Sequence, residues 1–327
     1  MLVRLSVSGV CGTDLALASG HLGPTAEILG HEGVGTIVKL GSGVPVSQIQ
    51  LGQKVGIAWQ RDICGDCHYC LAPGGETRCI EQMNSGRKIN GTFAEFAVVP
   101  SRYIIRLPKE DSSIRDEMIA PILCGGVTAY KALKICDAVP GQWVVISGAG
   151  GGVGALGVQY ARAMGYRVIA IDAGKEKEGF CKTSGADSYI DVLTETDTGK
   201  AVMSLTEGHG AKAVIVTAGA GRAYQSALGM LAPFGTLVCV GIPPPDQLVS
   251  FHPLLFIDKG IRIVGSAVGT RGEILEALEF VRRGVVTPTV HVTALSNLSQ
   301  IVKDFTKVRH MGISLSSMSD WCECIAN

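Results

Sequence analysis

The chain has 327 residues, of which 46% are hydrophobic, so it can bury the cores of two compact domains. Its 29 lysine and arginine residues balance 29 aspartate and glutamate residues, which excludes a strong field for nucleic acid or an anionic membrane and favours a small, specific ligand. No segment has the pattern of a membrane span, signal peptide or transit peptide, so a reducing cytoplasmic setting is expected, in which the 11 cysteines indicate metal binding rather than disulfides.

The first third of the chain predicts a β-rich domain. Apolar and other residues alternate at period two over 35–40 and 92–99, which is typical of antiparallel strands with one face in a core. Between them, the segment at about 62–84 lacks regular periodicity and is rich in glycine. It contains four closely spaced cysteines, a set that can bind one zinc ion, and we call it the zinc lobe.

Four cysteines of the zinc lobe have the spacing C-x2-C-x2-C-x8-C; they are Cys64, Cys67, Cys70 and Cys79. Four thiolates can close a tetrahedral shell around one zinc ion and leave no position for substrate, so this site is predicted to fold the lobe rather than to catalyse. The alternatives are unrelated cysteines in a loop and an iron–sulfur cluster. The neutral charge of the chain disfavours a nucleic-acid-binding zinc module.

A catalytic zinc ion needs about three protein ligands from separate segments and an open position for substrate. Three candidates lie in separate segments: Cys11 in Gly9-Val-Cys-Gly-Thr-Asp14, His31 in Gly30-His-Glu-Gly, and Cys124 in Pro121-Ile-Leu-Cys-Gly-Gly126. Each has a simpler interpretation when it is taken alone, because a single cysteine is usually a buried apolar residue and a single histidine usually a hydrogen-bonded one. Only their order along the chain gives them weight as a set.

From about Cys124 onward, short apolar runs alternate with helical stretches. Strands that are buried on both faces and joined by crossover helices predict a parallel, doubly wound sheet. The predicted strands are at 143–147, 167–171, 213–217, 236–240 and 261–264. After them, amphipathic helices near 273–283 and 296–307 flank a short strand at 290–292 and are expected to return the chain to the first domain.

A glycine fingerprint follows the first of these strands, in Ser147-Gly-Ala-Gly-Gly-Gly-Val-Gly154, and opens a predicted helix. In the strict G-x-G-x-x-G pattern, Ala149 takes the first glycine position, and Gly151 and Gly154 take the others. Such glycines let backbone amides approach a pyrophosphate at the helix N-terminus. Asp172 ends the next strand, where a carboxylate accepts the ribose hydroxyls and repels a 2′-phosphate, so NAD is predicted over NADP; a turn or cap role is its alternative.

Taken together, Cys-x-Thr-Asp, Gly-His-Glu, the four-cysteine loop, Pro-Ile-Leu-Cys-Gly and the glycine fingerprint resemble the zinc-containing medium-chain alcohol dehydrogenases over nearly the whole chain. Pro121 to Leu133 and Val158 to Val168 point to the fungal tetrameric branch. The resemblance implies a GroES-like catalytic domain at 1–123, a Rossmann NAD-binding domain at 124–265, and a segment at 266–327 that returns to the first domain. It also implies a homo-oligomer, either a tetramer or a dimer.

The resemblance also implies a set of residue roles. Cys11, His31 and Cys124 would bind the catalytic zinc, with Glu32 beside it and able to enter the shell. Asp14 would orient His31, with a helix N-terminal cap as its other role. Thr13 would accept the proton of the alcohol, although it could equally be a small residue at a helix start. The residues implied to contact NAD are Thr13, Gly151, Gly152, Val153, Asp172, Lys177, Val240, Gly241, Ser266 and Val268. For Lys177, a solvated charge on a helix is the alternative.

The implied activity is hydride transfer between a primary or secondary alcohol and NAD, giving an aldehyde or ketone, or the reverse reduction. Two residues depart from the branch, which has histidines at the positions of Gly12, where the pyrophosphate is contacted, and Ala16, where a proton relay ends. Trp59 matches an aromatic wall of the substrate pocket, whereas Leu22 replaces a tryptophan. The pocket is therefore expected to accept a primary alcohol or aldehyde larger than ethanol, such as one of secondary metabolism.

An alternative function is a zinc- and NAD-binding protein with little or no catalysis. The missing relay histidine favours this alternative, as do the ends of the chain, which could also mark an inactive fragment. The family's early strands have no counterpart before Leu2, and the tail after about Lys307 matches no motif. Cys322 and Cys324 in that tail could bind metal, but a disordered tail is the preferred expectation.

Overall fold

The computed structural model describes residues 1–45, 49–108, 110, 113–307 and 313–317. Cys322 and Cys324 lie outside the described residues. Within the described ranges the strands form one seven-stranded sheet, one six-stranded sheet and one two-stranded sheet. None of the helices in this part of the chain is long and apolar enough to cross a bilayer.

The seven-stranded sheet has the order β14-β15-β1-β2-β3-β7, with β6 also paired to β1. Its strands are β1 Leu2–Val10, β2 Gly33–Lys39, β3 Lys54–Ile57, β6 Phe96–Val98, β7 Ile105–Arg106, β14 Val290–Ala294 and β15 Ile313–Ser317. The pairs are antiparallel except for β14 and β15, which run parallel. The strand expected at 35–40 is therefore present as β2. The one expected at 92–99 shrinks to β6 because the N–H groups of Thr92 and Phe93 bond to Leu29 O in a loop instead.

The six-stranded sheet is parallel throughout, with the order β10-β9-β8-β11-β12-β13. Its strands are β8 Trp143–Ser147, β9 Arg167–Asp172, β10 Ser188–Asp191, β11 Ala211–Val216, β12 Leu231–Cys239 and β13 Arg262–Gly265. The strand order reverses between β8 and β11: β9 and β10 are added on one side of β8, and β11, β12 and β13 on the other. In such sheets ligands bind in the crevice outside the carboxyl ends of the two strands at the reversal. The doubly wound prediction is confirmed, although β10 was missed because only its Ile190 is buried.

The small sheet pairs β4 Gln60–Asp62 with β5 Met83–Asn84 at the base of the zinc lobe. The helices are α1 Gly12–Ala18, α2 Asp116–Ile119, α3 Gly125–Lys134, α4 Gly152–Ala163, α5 Glu178–Thr183, α6 Thr198–Leu205, α7 Gly221–Met230, α8 Leu254–Lys259, α9 Arg271–Arg282 and α10 Leu298–Lys307. One continuous core runs from Val34 and Ile105 of the first sheet through Leu123 to Ile146 of the second. The two sheets are thereby held in a fixed relation across α3.

Candidate active site

The pairing of β1 with β2 brings two distant segments together at one end of the first sheet. Ser8 lies opposite Gly33, and the N–H of Gly9 donates to Glu32 O at 3.0 Å, so Cys11 and His31 emerge side by side. Cys124 reaches the same place from the other side, between a buried 3₁₀ helix at Ala120–Leu123 and the start of α3. Three segments far apart in the chain therefore converge at the junction of the two sheets.

The convergent side chains have the spacing of a metal site. The Sγ atoms of Cys11 and Cys124 are 4.0 Å apart, and His31 Nε2 lies 3.3 Å from Cys124 Sγ. One ligand atom from each of these residues and from Glu32 lies within 4.8 Å of the others. Tetrahedral zinc with Zn–S bonds of about 2.3 Å requires sulfur atoms roughly 3.8 Å apart, so the set fits zinc. Glu32 Oε2 is buried without a hydrogen-bond partner among the described residues, as expected for an oxygen that faces a cation.

Asp14 holds this site in shape with both of its carboxylate oxygens. Oδ1 accepts from His31 Nδ1 at 2.9 Å and from the N–H of Gly30 at 3.0 Å, while Oδ2 accepts from the N–H of Cys11 at 3.0 Å. The N-cap of α1 is Cys11 itself, and Asp14 completes a reciprocal capping box three residues later. The carboxylate thus fixes the His31 ring and one end of α1 together.

Burial and mutual contact shift the pKa values of the side chains in this cluster. The contact with Cys11, together with burial, raises the pKa of the Cys124 thiol, and the same contact lowers the pKa of Cys11. Burial also raises the pKa of the Glu32 carboxyl well above its usual range. Burial opposes protonation of His31, but the charge and hydrogen bond of Asp14 outweigh it and raise the His31 pKa. A bound divalent cation would replace these shared protons and stabilise both thiolates.

The zinc lobe contains the second cluster. Cys64 Sγ lies 3.8 Å from Cys70 Sγ and 3.5 Å from Cys79 Sγ, again close to the spacing of a tetrahedral zinc shell. The four sulfur atoms lie within 4.8 Å of one another. The apolar core beside the four cysteines is small and consists of Ile63, Cys79 and Tyr103. A lobe with so little core fits the prediction that a structural metal folds it.

The glycine fingerprint lies in the crevice at the carboxyl ends of β8 and β11. Gly151 is the N-cap of α4, and a side chain at Gly154 would place its Cβ 2.0 Å from Gly148 O, so the turn has no room for one. The helix predicted to follow the fingerprint is α4, and it begins inside the motif at Gly152, so Gly152 and Val153 lie in its first turn. The exposed amides of this turn suit a pyrophosphate.

Asp172 lies beside that turn and binds it directly. Its carboxylate accepts from the N–H of Gly150 at 2.8 Å, from the N–H of Ala173 at 2.7 Å, and from Lys177 Nζ at 2.6 Å. Lys177 is buried, with 5% of its surface exposed, so it is not a solvated helix charge. The pair therefore forms one wall of the dinucleotide crevice.

The other predicted cofactor residues lie at the carboxyl ends of neighbouring strands. Val240 and Gly241 directly follow β12, and a Cβ at Gly241 would lie 2.4 Å from Ala218 O. Ser266 follows β13, with its N–H bonded to Cys239 O at 2.9 Å and its buried hydroxyl without a partner among the described residues. Val268 has a φ of 39°, which is unusual for a β-branched residue. This strained stretch faces the same end of the sheet as the fingerprint.

The predicted catalytic and pocket residues lie around Cys11. Thr13 is the second residue of α1, half-buried, with its N–H 3.5 Å from Cys11 Sγ. The Trp59 ring packs edge-on against His31, with centroids 5.4 Å apart. Leu22 is half-buried after α1, and its N–H bonds to Ala16 O at 3.3 Å. Trp59 thus walls the metal cluster, whereas Leu22 lies at the far end of α1.

Two supporting glycines were not singled out from the sequence. A Cβ at Gly9 would lie 1.9 Å from Glu32 Oε2, so only glycine leaves room for that carboxylate. Gly30 has a φ of 92°, and its N–H reaches Asp14 in that conformation. Both lie inside the quoted motifs next to their functional neighbours, and that adjacency was the available signal.

Comparison with known proteins identifies the whole arrangement. Residues 1–109 match the family model of the alcohol dehydrogenase GroES-like domain, and residues 152–283 match that of zinc-binding dehydrogenase. Alcohol dehydrogenase 2 of Emericella nidulans is 40% identical over 95% of this chain and 88% of its own length. An alcohol dehydrogenase of a Moraxella species is 42% identical over 92% of this chain and 86% of its own length.

Solved structures agree with the sequence relatives. The alcohol dehydrogenase of Aeropyrum pernix superposes with a TM-score of 0.86 at 30% identity, covering 97% of this chain and 91% of that one. The acetophenone reductase of Geotrichum candidum, solved in complex with NAD, has a TM-score of 0.84 at 25% identity, covering 98% of this chain and 89% of that one. This chain therefore shares its fold with alcohol dehydrogenases over nearly its whole length, and one structural neighbour was solved in complex with NAD.

Proposed function

The chain belongs to the zinc-containing medium-chain alcohol dehydrogenases, and from that premise we propose that Cys11, His31 and Cys124 hold the catalytic zinc of an NAD-dependent alcohol dehydrogenase. Its cofactors are zinc and NAD. The observation that carries the proposal is the convergence of two thiols, one imidazole and an unpartnered carboxylate oxygen at zinc spacing. Glu32, whose carboxylate lies in the same cluster, would be a further ligand for the metal.

When bound, zinc and NAD supply a Lewis acid for the alcohol hydroxyl and an acceptor for hydride. Thr13 lies two residues after Cys11, and its hydroxyl can relay the alcohol proton: Oγ1 accepts that proton as the Thr13 hydroxyl proton passes on toward the nicotinamide ribose. Asp14 keeps the His31 ring in the orientation that ligation requires. Gly12 and Ala16 carry no group that could move the proton onward, so water at the exposed start of α1 takes that role.

The cofactor preference rests on Asp172. Its carboxylate at the end of β9 is placed for ribose hydroxyls and opposes a 2′-phosphate, which favours NAD. Lys177 holds the carboxylate in place through their 2.6 Å contact. Gly151, Gly152 and Val153 present backbone amides to the pyrophosphate at the start of α4. On the nicotinamide side we assign Val240, Gly241, Ser266 and Val268.

For the substrate we propose a primary alcohol or aldehyde larger than ethanol. Trp59 limits the pocket beside His31, while Leu22 is smaller than the tryptophan of the fungal branch. The test is NADH absorbance with ethanol, longer aliphatic alcohols and aromatic alcohols, and with the matching aldehydes in reverse. We expect turnover with NAD and a higher kcat/KM for a bulky alcohol than for ethanol. NADH binding without turnover of any of these compounds would contradict the proposal and favour a non-catalytic binding protein.

We further propose that the protein is cytoplasmic and that its domains lie at 1–123, 124–265 and 266–327.

We also propose that the protein is a homo-oligomer, either a dimer or a tetramer. An exposed edge supports oligomerisation: among the described strands only β12 pairs with β13, and the neighbouring α8 buries none of its residues. Unpaired strand edges and exposed apolar side chains such as Ile257 are typical of a surface that binds a second copy of the chain. Light scattering should show an oligomer that Ile257→Glu weakens, whereas Leu193→Glu, at an equally apolar exposed site elsewhere, should not. A monomeric native protein would contradict this assembly.

A further inference from the structure

Arg271, a residue outside both metal sites and the fingerprint, joins the zinc lobe to α9 in the segment that follows the dinucleotide domain. Its guanidinium lies 4.2 Å from the centre of the Tyr103 ring. The same group donates to Arg102 O at 2.9 Å and pairs with Glu76 at 3.6 Å. A cation over an aromatic face, a backbone acceptor and a carboxylate together define one orientation of this fork.

On the lobe side, these contacts lead directly to the four cysteines. The Tyr103 ring is buried and packs against Cys79 and Ile63. Its hydroxyl donates to Glu76 Oε2 at 2.8 Å, and burial raises the pKa of Tyr103, so the hydroxyl remains a donor. Glu76 lies in the 3₁₀ helix Gly75–Arg78, immediately before Cys79. A shift of the four cysteines is therefore expected to shift Tyr103 and Glu76, which contact Arg271.

On the other side, Arg271 is the first residue of α9, directly after the strained stretch that begins at Ser266. Thr270 is the N-cap of the helix, in a reciprocal capping box with Glu273. A Cβ at Gly269 would lie 2.2 Å from Val127 Cγ2, so that residue is pressed against α3. The left-handed backbone of Val268 persists only if its surroundings impose it. The capping box and the Gly269 contact hold the start of α9 in place. We therefore expect a displacement of Arg271 to displace Val268 as well.

A second contact crosses the same boundary in parallel. Lys131 of α3 is buried, donates to Thr77 Oγ1 of the lobe at 3.2 Å and lies 3.8 Å from Glu273 of α9. The helix that carries Lys131 begins directly after Cys124. The lobe, the cysteine of the catalytic cluster and the start of α9 are thus joined by side chains with defined partners.

We propose that Arg271 is a positioning residue for the cofactor: it holds the 266–270 segment against the zinc lobe, so that the folded lobe sets the affinity for the nicotinamide end of NAD. The inference rests on the proposed function, because it takes Ser266 and Val268 as part of the nicotinamide side. It gives the zinc lobe a role in cofactor binding in addition to its role in folding. Arg271 itself does not contact the cofactor in this scheme.

The test compares Arg271→Gln and Arg271→Lys with a matched control, Arg102→Gln. Arg102 bonds the lobe through Asp62 at 2.7 and 2.8 Å, and its side chain has no contact with α9 among those described. The readouts are the NADH Kd from fluorescence titration, the KM for NAD against kcat, zinc content and the thermal midpoint. Arg271→Gln should raise the NADH Kd and the KM for NAD about tenfold, within the usual range of coupling between sites, with zinc content unchanged. Arg271→Lys should recover part of the loss, because it restores the charge but not the fork.

A Glu76→Gln change provides an internal check. If Glu76 acts through Arg271, the double variant with Arg271→Gln should bind NADH no more weakly than Arg271→Gln alone. The inference is overturned if Arg271→Gln binds NADH as the native enzyme does, or if Arg102→Gln weakens NADH binding equally. Failure of the native enzyme to bind NADH would instead remove the proposed cofactor site, and the inference with it.

Discussion

Asp14 satisfies three hydrogen-bond donors with one carboxylate: the ring of His31 and the N–H groups of Gly30 and Cys11. An amide in its place would turn an NH₂ group toward at least one of those donors. We therefore predict that Asp14→Asn lowers the zinc affinity of the catalytic cluster about 10- to 100-fold, as loss of a ligand-orienting partner typically does. Competition with a chromophoric chelator measures this affinity. The zinc of the lobe serves as the control in the same molecule, and equal affinities in both proteins would contradict the assigned role.

At the same scale, we propose that Asp172 sets the preference for NAD over NADP. In Asp172→Ala the charge that opposes a 2′-phosphate is removed, while Lys177 remains as a buried cation without its partner. We expect the ratio of kcat/KM for NADP to that for NAD to rise at least about tenfold, equivalent to ~1.4 kcal/mol. Steady-state assays with both cofactors check this. The matched Asp197→Ala change, which removes an Asp–Lys pair at the N-cap of α6, should leave the ratio unchanged.

The residues that carry chemistry were predictable because their types and spacing are restrictive. Four cysteines at fixed intervals have few other uses, whereas Cys11, His31 and Cys124 were predictable only from the order of their motifs along the chain. The partners that orient them were harder to foresee. The bond from Gly150 to Asp172 joins residues 22 positions apart, and the space that Gly9 leaves for Glu32 exists only because β1 pairs with β2. Such contacts follow from strand register, which a single sequence does not specify.

At the scale of elements, the small core of the zinc lobe leads us to expect that its fold depends on a bound metal. Cys70→Ser removes one of four ligands and should cost about 4 kcal/mol or more of unfolding free energy, at the upper end of single substitutions. Limited proteolysis should then cut within 62–84 while the rest of the chain resists. The catalytic zinc should remain bound. A variant that keeps its lobe intact against protease would contradict a metal-dependent fold.

The elements also show which patterns were informative. β8, β9 and β11 were located to within about two residues, because continuous apolar runs between glycines have few other interpretations. β10 escaped because a strand at the sheet edge with one buried side chain has no such run. β12 begins five residues before its predicted start, at Leu231 rather than Thr236, because exposed Pro233 and Phe234 interrupt its apolar pattern.

At the scale of the whole molecule, Cys124 precedes α3 in the core shared by the two sheets, so the proposed catalytic cluster lies at the junction of the two sheets. The order of the motifs predicted that Cys11, His31 and Cys124 lie together, and in the structure their ligand atoms lie within 4.8 Å of one another. The three residues come from widely separated segments of the chain. No composition or periodicity could have placed them together. The contacts of Arg271 between lobe and α9 are likewise a property of the assembled fold.

The central claim is that this convergent cluster holds the catalytic zinc. Its most direct test measures zinc content and alcohol-dependent NADH formation for the native enzyme and for Cys124→Ser. The native chain should bind about two zinc ions, one per cluster. The variant should keep about one, retain its fold, and lose turnover by at least about a thousandfold, since a catalytic metal supplies several kcal/mol to the transition state. A Cys124→Ser enzyme that keeps both zinc ions, or turns over alcohol at the native rate, would contradict the account.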